Sequence, residues 1–244
     1  MRGSMKELVT LTDPVPAKCA DLLALGAADA ALVPVIEYQR INDIHVVPDV
    51  CVGSKEKVRS VVLVTKSENL ESVRSVALDE SSRTSASLVK IIFREFIGID
   101  PTWQTATPDL GRMLNDNDGA LIIGDPGMTF SRDDYHVWDL ASLWHQHTGL
   151  GFVFAMWMIR NNSSEETMKL DFADARDEGL ANLDQIVADY QTLLSLSPES
   201  IEEYLMENIS FAPDQTMTAG LKLYFELAHK HGLIDVVKPL RYSK

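Results

Sequence analysis

Hydrophobic positions along this chain fall into two kinds of run. Ala30 to Val35, Ser60 to Thr65, Val76 to Leu78, Gly119 to Ile123 and Phe152 to Ile159 are short and nearly continuous, the pattern of strands buried on both faces. Ile44 to Val52 reads as a further strand, Glu7 to Thr12 as a weakly alternating one, and Pro101 to Thr107 as an extended segment. Between them lie helical stripes. Pro14 and Pro16 open a helix carrying Cys19, Leu22, Leu23 and Leu25, which Gly26 ends, and Leu88, Ile91, Ile92 and Phe96 share one face of another. A short helix holds Leu110 to Leu114.

From Glu165 onward only helical stripes occur: Leu180, Leu183, Ile186, Val187 and Tyr190, then Ile201, Tyr204 and Leu205, then Leu221, Tyr224, Phe225, Leu227 and Ala228. Met217 and Tyr224 read as core. The order of strand, helix and strand from Glu7 to Val35 predicts a parallel βαβ unit, and the class is α/β. The strands divide into two lobes, residues 1–68 with 152–244 and residues 69–151, with the helical tail packing on the first and a cleft between them.

Composition narrows the function classes. At 45% hydrophobic and 24% charged the chain is an ordinary globular one, and its 244 residues suffice for a full core. The net charge of −14 repels nucleic acid and anionic membranes, so neither is expected as a partner. The two cysteines, Cys19 and Cys51, form no paired motif and read as small buried hydrophobes. His145 and His147 lack a third ligand candidate, so no metal is expected. Neither a leader nor an apolar run long enough to span a bilayer stands out, and the expected location is the cytoplasm.

In so acidic a protein an anion binds only where local donors overcome the general field. Ser81, Ser82, Thr84 and Ser85 fall where a strand ends and a helix begins. Their hydroxyls can cap the first turn, and the free N–H groups there can seat a carboxylate or phosphate; both readings stand. Arg83 adds a fork of donors suited to a carboxylate. Glu37 and Asp125 each follow the carboxyl end of a strand, where open parallel sheets bind ligands. Solvated loop acids, or an Asx turn before Pro126, would account for them equally well.

Four segments occur in one order: Pro34-Val-Ile-Glu-Tyr-Gln, Val76-Ala-Leu-Asp-Glu-Ser-Ser-Arg-Thr-Ser, Ala120-Leu-Ile-Ile-Gly-Asp and Thr148-Gly-Leu-Gly-Phe-Val-Phe-Ala. Together they resemble the chorismate dehydratase family of the futalosine route to menaquinone, from about Glu7 to the C-terminus. The resemblance implies a type II periplasmic-binding-protein-like fold used by a cytoplasmic, cofactor-free hydro-lyase. Its anionic small-molecule substrate is chorismate and its product 3-[(1-carboxyvinyl)oxy]benzoate. Ser82, Arg83, Thr84 and Ser85 then bind substrate, and Glu37 and Asp125 are the catalytic candidates; the oligomeric state is left open. The alternatives are the related 1,4-dihydroxy-6-naphthoate synthase and a solute-binding protein without chemistry.

Two departures stand out. The family has Pro where this chain has Gly151, a change expected only to loosen the turn. The family also begins with a further strand and a Ser-Tyr-Leu-Asn loop that supplies an Asn to the substrate. Neither precedes Glu7, so something on the order of 30 residues is expected to be missing, with low stability and activity as the consequence.

Overall fold

The computed structural model describes residues 8–12 and 14–243. In chain order the main elements are α1 (Pro16–Ala24), β1 (Ala30–Pro34), β2 (Ile44–Ser54), β3 (Val61–Thr65), β4 (Ser75–Asp79), α2 (Arg83–Ile91), β5 (Thr102–Ala106), α3 (Leu110–Asp116), β6 (Gly119–Ile123), α4 (Asp125–Thr129), β7 (His136–Asp139), α5 (Leu140–Thr148) and β8 (Phe152–Arg160). The tail follows as α6 (Glu165–Met168), α7 (Phe172–Ala181), α8 (Leu183–Leu194), α9 (Pro198–Glu203) and α10 (Gln215–Lys230).

The strands form two sheets, one of order β1-β8-β2 and one of order β5-β4-β6-β3-β7. β8 is antiparallel to both its neighbours. In the second sheet β4 runs parallel to β5 and β6, while β3 is antiparallel to β6 and β7. The parallel pairs are the ones that a helix or a long connection joins, as their geometry requires.

Several expectations change. Leu8–Thr12 form no strand, Glu7 lies outside the described residues, and among these no strand pairs the outer edge of β1. A strand needs a ladder partner, and weak alternation over six residues does not supply one. The parallel βαβ unit at the start is therefore not formed.

β3, placed in the first lobe by a boundary at residue 68, lies between β6 and β7 in the second sheet, so the change of sheet falls between Ser54 and Val61. All five of its residues are buried, and periodicity cannot say which sheet buries them. The stripe from Leu180 to Tyr190 is broken at Asn182, where α7 ends and α8 begins. β7 escaped notice because its His136-Val-Trp-Asp has only two apolar positions.

The tail packs chiefly on the first sheet. Phe172 of α7 lies 5.0 Å from Trp157, and Tyr224 of α10 lies 5.1 Å from Phe152, ring centre to ring centre. Met217 and Tyr224 are fully buried, as expected of core residues. One apolar cluster takes in Val33 and Met158 from the first sheet, Leu63 and Leu121 from the second, and Tyr224 between them. Chain segments cover the edge of β2: Ser210 accepts from Gly53 N at 3.0 Å and Arg241 from Val46 N at 2.8 Å, both through their carbonyls.

Gly151 does more than loosen a turn. A Cβ there would sit 2.6 Å from Met217 Cγ and 3.0 Å from the Ser54 carbonyl oxygen, and one at Gly220 would run into the Gly151 carbonyl. Trp144 Nε1 donates to that same carbonyl at 3.2 Å. The crossing into β8 is thus clamped between α5 and α10. Cys51 is buried as expected, whereas Cys19 is only half-buried and its thiol donates to the Pro14 carbonyl. Among the described residues no helix is long and apolar enough to cross a membrane.

Candidate functional site

β4 ends at Asp79, inside the second sheet, and the chain turns at once into α2. The turn is built by the carboxylate of Asp79, which is 2% exposed and was missed by sequence reasoning as part of an ordinary strand end. Its Oδ1 accepts from Ser81 N at 2.8 Å and from the Ser81 hydroxyl at 2.6 Å, and its carbonyl accepts from Ser82 N. Its Oδ2 accepts from Ile123 N at 3.4 Å, at the end of the neighbouring strand β6. The signal that could have found it is an acid closing an otherwise apolar run.

The hydroxyls do not cap α2. Ser82 holds the cap position with extended backbone, but its side chain makes no cap bond, and Ser81 is engaged by Asp79. Thr84 Oγ1 instead accepts from Ile36 N at 3.4 Å, across to the first sheet's side. The reason is burial: Ser82, Thr84 and Ser85 are 5%, 3% and 4% exposed, and at such sites tertiary partners compete with local capping. Among the described residues Ser82 Oγ has no hydrogen-bond partner. A buried hydroxyl of this kind costs free energy unless something meets it. α2 continues as a π-type segment through Ile97, so the donors of a long helix end converge beside that hydroxyl.

Arg83 is not a free fork. Its Nη2 donates to Asp21 Oδ1 of α1 at 2.6 Å and its Nη1 to Glu37 Oε2 at 3.1 Å. Burial works to lower its pKa, and the bonds to Asp21 and Glu37 outweigh it, so the guanidinium is held above its ordinary value. Glu37 lies in a short 3₁₀ turn, Val35–Gln39, directly after β1 and is 5% exposed. Its other oxygen accepts from Arg40 Nη1 at 2.6 Å. Both carboxylate oxygens are therefore occupied by guanidinium groups, and Tyr224 adds a further tie by donating to the Thr84 carbonyl at 3.1 Å. A cavity of about 500 Å³ beside this network is lined by Asp21, Glu37, Arg40 and Arg83 among others.

Asp125 is placed apart from Glu37. It opens α4, its side chain is exposed, and its carboxylate has no hydrogen-bond or ion-pair partner among the described residues. Its neighbour Gly124 donates to the Ser60 carbonyl at 2.8 Å, and the Ser60 hydroxyl accepts from Tyr204 at 2.9 Å. Burial raises the Tyr204 phenol's pKa, and the charge of Asp125 adds to the shift. The structure thus brings Ser82, Arg83, Thr84, Ser85 and Glu37 together and sets Asp125 on the adjoining strand end.

Residues 4–230 match the model of a family described as menaquinone biosynthesis. The chain belongs to that family. A chorismate dehydratase of Thermus thermophilus is 30% identical over 231 residues, which cover 87% of this chain and 84% of that one. A chorismate dehydratase of Campylobacter jejuni is 29% identical over 142 residues, 58% of this chain and 49% of that one. Among solved structures, a protein of Archaeoglobus fulgidus has a TM-score of 0.70 at 17% identity, covering 92% of this chain and 86% of its own. The periplasmic aliphatic sulphonate binding protein of Escherichia coli follows with a TM-score of 0.60 at 15% identity, covering 95% and 82%. The fold of this family member is thus the periplasmic-binding-protein fold.

Proposed function

We propose that the protein is a chorismate dehydratase, removing water from chorismate to give 3-[(1-carboxyvinyl)oxy]benzoate in the futalosine route to menaquinone, in the cytoplasm. The observation that carries this reading is the Thermus thermophilus relative, similar along almost the whole of both chains. The buried hydroxyl of Ser82 at the start of α2, unpartnered among the described residues, supports it, since a substrate carboxylate would supply the missing acceptor.

In this proposal a carboxylate of the substrate rests on the first turn of α2, held by Ser82, Thr84 and Ser85. Arg83 joins it by exchanging Asp21 for the substrate. The elimination breaks the bond to the ring hydroxyl and removes the proton from the neighbouring ring carbon, and aromatisation drives it. The protein chiefly orients the substrate and excludes water. Asp125 and the substrate's own enolpyruvyl carboxylate are the two proton acceptors on offer. Glu37, tied to two arginines, serves to hold Arg83 rather than to take the proton.

The test is incubation of the purified protein with chorismate, following the aromatic product by absorbance and the lost water by mass spectrometry. Turnover is expected. Saturable binding without turnover would make the protein a solute binder, and turnover of only a naphthoate precursor would make it the related synthase.

A further inference from the structure

We infer that Asp79 is a positioning residue for this reaction, fixing the distance between the substrate's carboxylate seat and Asp125. The inference rests on the proposed function. Among the described residues Asp79 and Glu37 are the only buried acidic side chains, and the mechanism above does not use Asp79.

Its contacts lie on two different segments. Oδ1 holds Ser81 by both its N–H and its hydroxyl, which shapes the turn that presents Ser82. Oδ2 takes the N–H of Ile123, two residues before Asp125. β4 and β6 are parallel neighbours in register at Leu78 and Leu121, so their carboxyl ends lie side by side and the carboxylate spans the gap between the two turns that follow. In open sheets this is where ligands sit. The regular ladder stops at Leu78 and Leu121, and beyond it the Asp79 carboxylate links the turn after β4 to the last residue of β6.

Charge and geometry predict opposite signs here, which makes the inference testable. A negative charge beside an anion seat opposes anion binding, so removing it by Asp79→Asn would on Coulomb grounds favour the substrate. Geometrically the same change puts an NH₂ group against an N–H donor, of Ser81 or of Ile123, and releases one end of the bridge. A displacement of this kind, on the order of 1 Å, costs about 100-fold in rate when it falls between reacting groups.

The experiment measures kcat and KM for chorismate turnover together with melting temperature for the wild type, Asp79→Asn, Ser81→Ala and a comparator, Asp109→Ala. Asp109 caps α3 by accepting from Arg112 N at 3.0 Å and makes none of the contacts that bridge β4 to β6. The comparator is expected to melt earlier with kcat/KM within about twofold of wild type, since a lost cap affects stability alone. Asp79→Asn and Ser81→Ala are expected to lose about 10- to 100-fold in kcat/KM at temperatures where each is fully folded. Should Asp79→Asn fail to fold, Ser81→Ala, which keeps the carboxylate and its Ile123 bond, decides by itself. Activity retained in the folded variants, or raised in Asp79→Asn, overturns the inference and leaves the proposed function standing. Absence of turnover in the wild type overturns both.

Discussion

Arg83, the first residue of α2, ion-pairs with Asp21 of α1 at 2.6 Å, so the helix that carries the candidate anion seat is tied to the helix that packs against β1 of the first sheet. Asp21 is the more exposed of the two acids that Arg83 holds, at 43% against 6% for the Glu37 side chain. If a substrate carboxylate displaces one of them, Asp21 is the one that leaves at least cost. Asp21→Asn is then expected to lower KM for chorismate, because the competing carboxylate is gone, with little change in melting temperature, as for other half-exposed pairs. Arg83→Ala is expected to raise KM and to destabilise by about 1–3 kcal/mol, since it leaves buried Glu37 with Arg40 alone. A higher KM in Asp21→Asn would show instead that Asp21 holds Arg83 in its working position.

Ser82→Ala separates the ligand from the fold. Its hydroxyl is buried and unpartnered, so removing it should leave stability unchanged or raise it, by up to about 1–3 kcal/mol. Substrate affinity should fall. Thermal melting with and without chorismate reads both at once, and a destabilised protein with intact affinity would remove Ser82 from the site.

The clamp at the crossing into β8 leaves no room for a methyl group. Gly220→Ala would drive a Cβ into the Gly151 carbonyl, backbone against backbone, so the side chains cannot absorb the overlap. A loss of about 3 kcal/mol or more, or failure to fold, is expected. Denaturant unfolding measures it, and a change below about 0.5 kcal/mol, the range of neutral surface substitutions, would show that α10 is free to shift.

Burial pushes the Cys51 thiol up to about 12 from its ordinary 9.0. The folded protein therefore keeps the proton where the unfolded chain loses it, so this group leaves stability unchanged below about pH 9 and lowers it as pH rises from there toward 12. A disulfide reagent at pH 8 should modify half-buried Cys19 in the native state and reach Cys51 only on unfolding. Equal rates at both thiols would refute this.

The hydrophobic pattern by itself determined the α/β class, the positions of β1, β2, β4, β6 and β8, and the helical tail, because continuous apolar runs and helical stripes are properties of neighbouring residues. It also marked Ser82 to Ser85, Glu37 and Asp125 as polar groups beside strand ends, a matter of chain order alone. Only the tertiary structure decided that β3 pairs in the second sheet, that Leu8–Thr12 form no strand, and that Gly151 is clamped by α10. It decided too that the hydroxyls do not cap, that Arg83 is shared by Asp21 and Glu37, and that Asp79 bridges β4 to β6. The physical reason is common to all of these. They are contacts between segments tens of residues apart, and a side chain's hydrogen-bonding choice is settled by which donors and acceptors burial brings within reach, not by its neighbours in the chain.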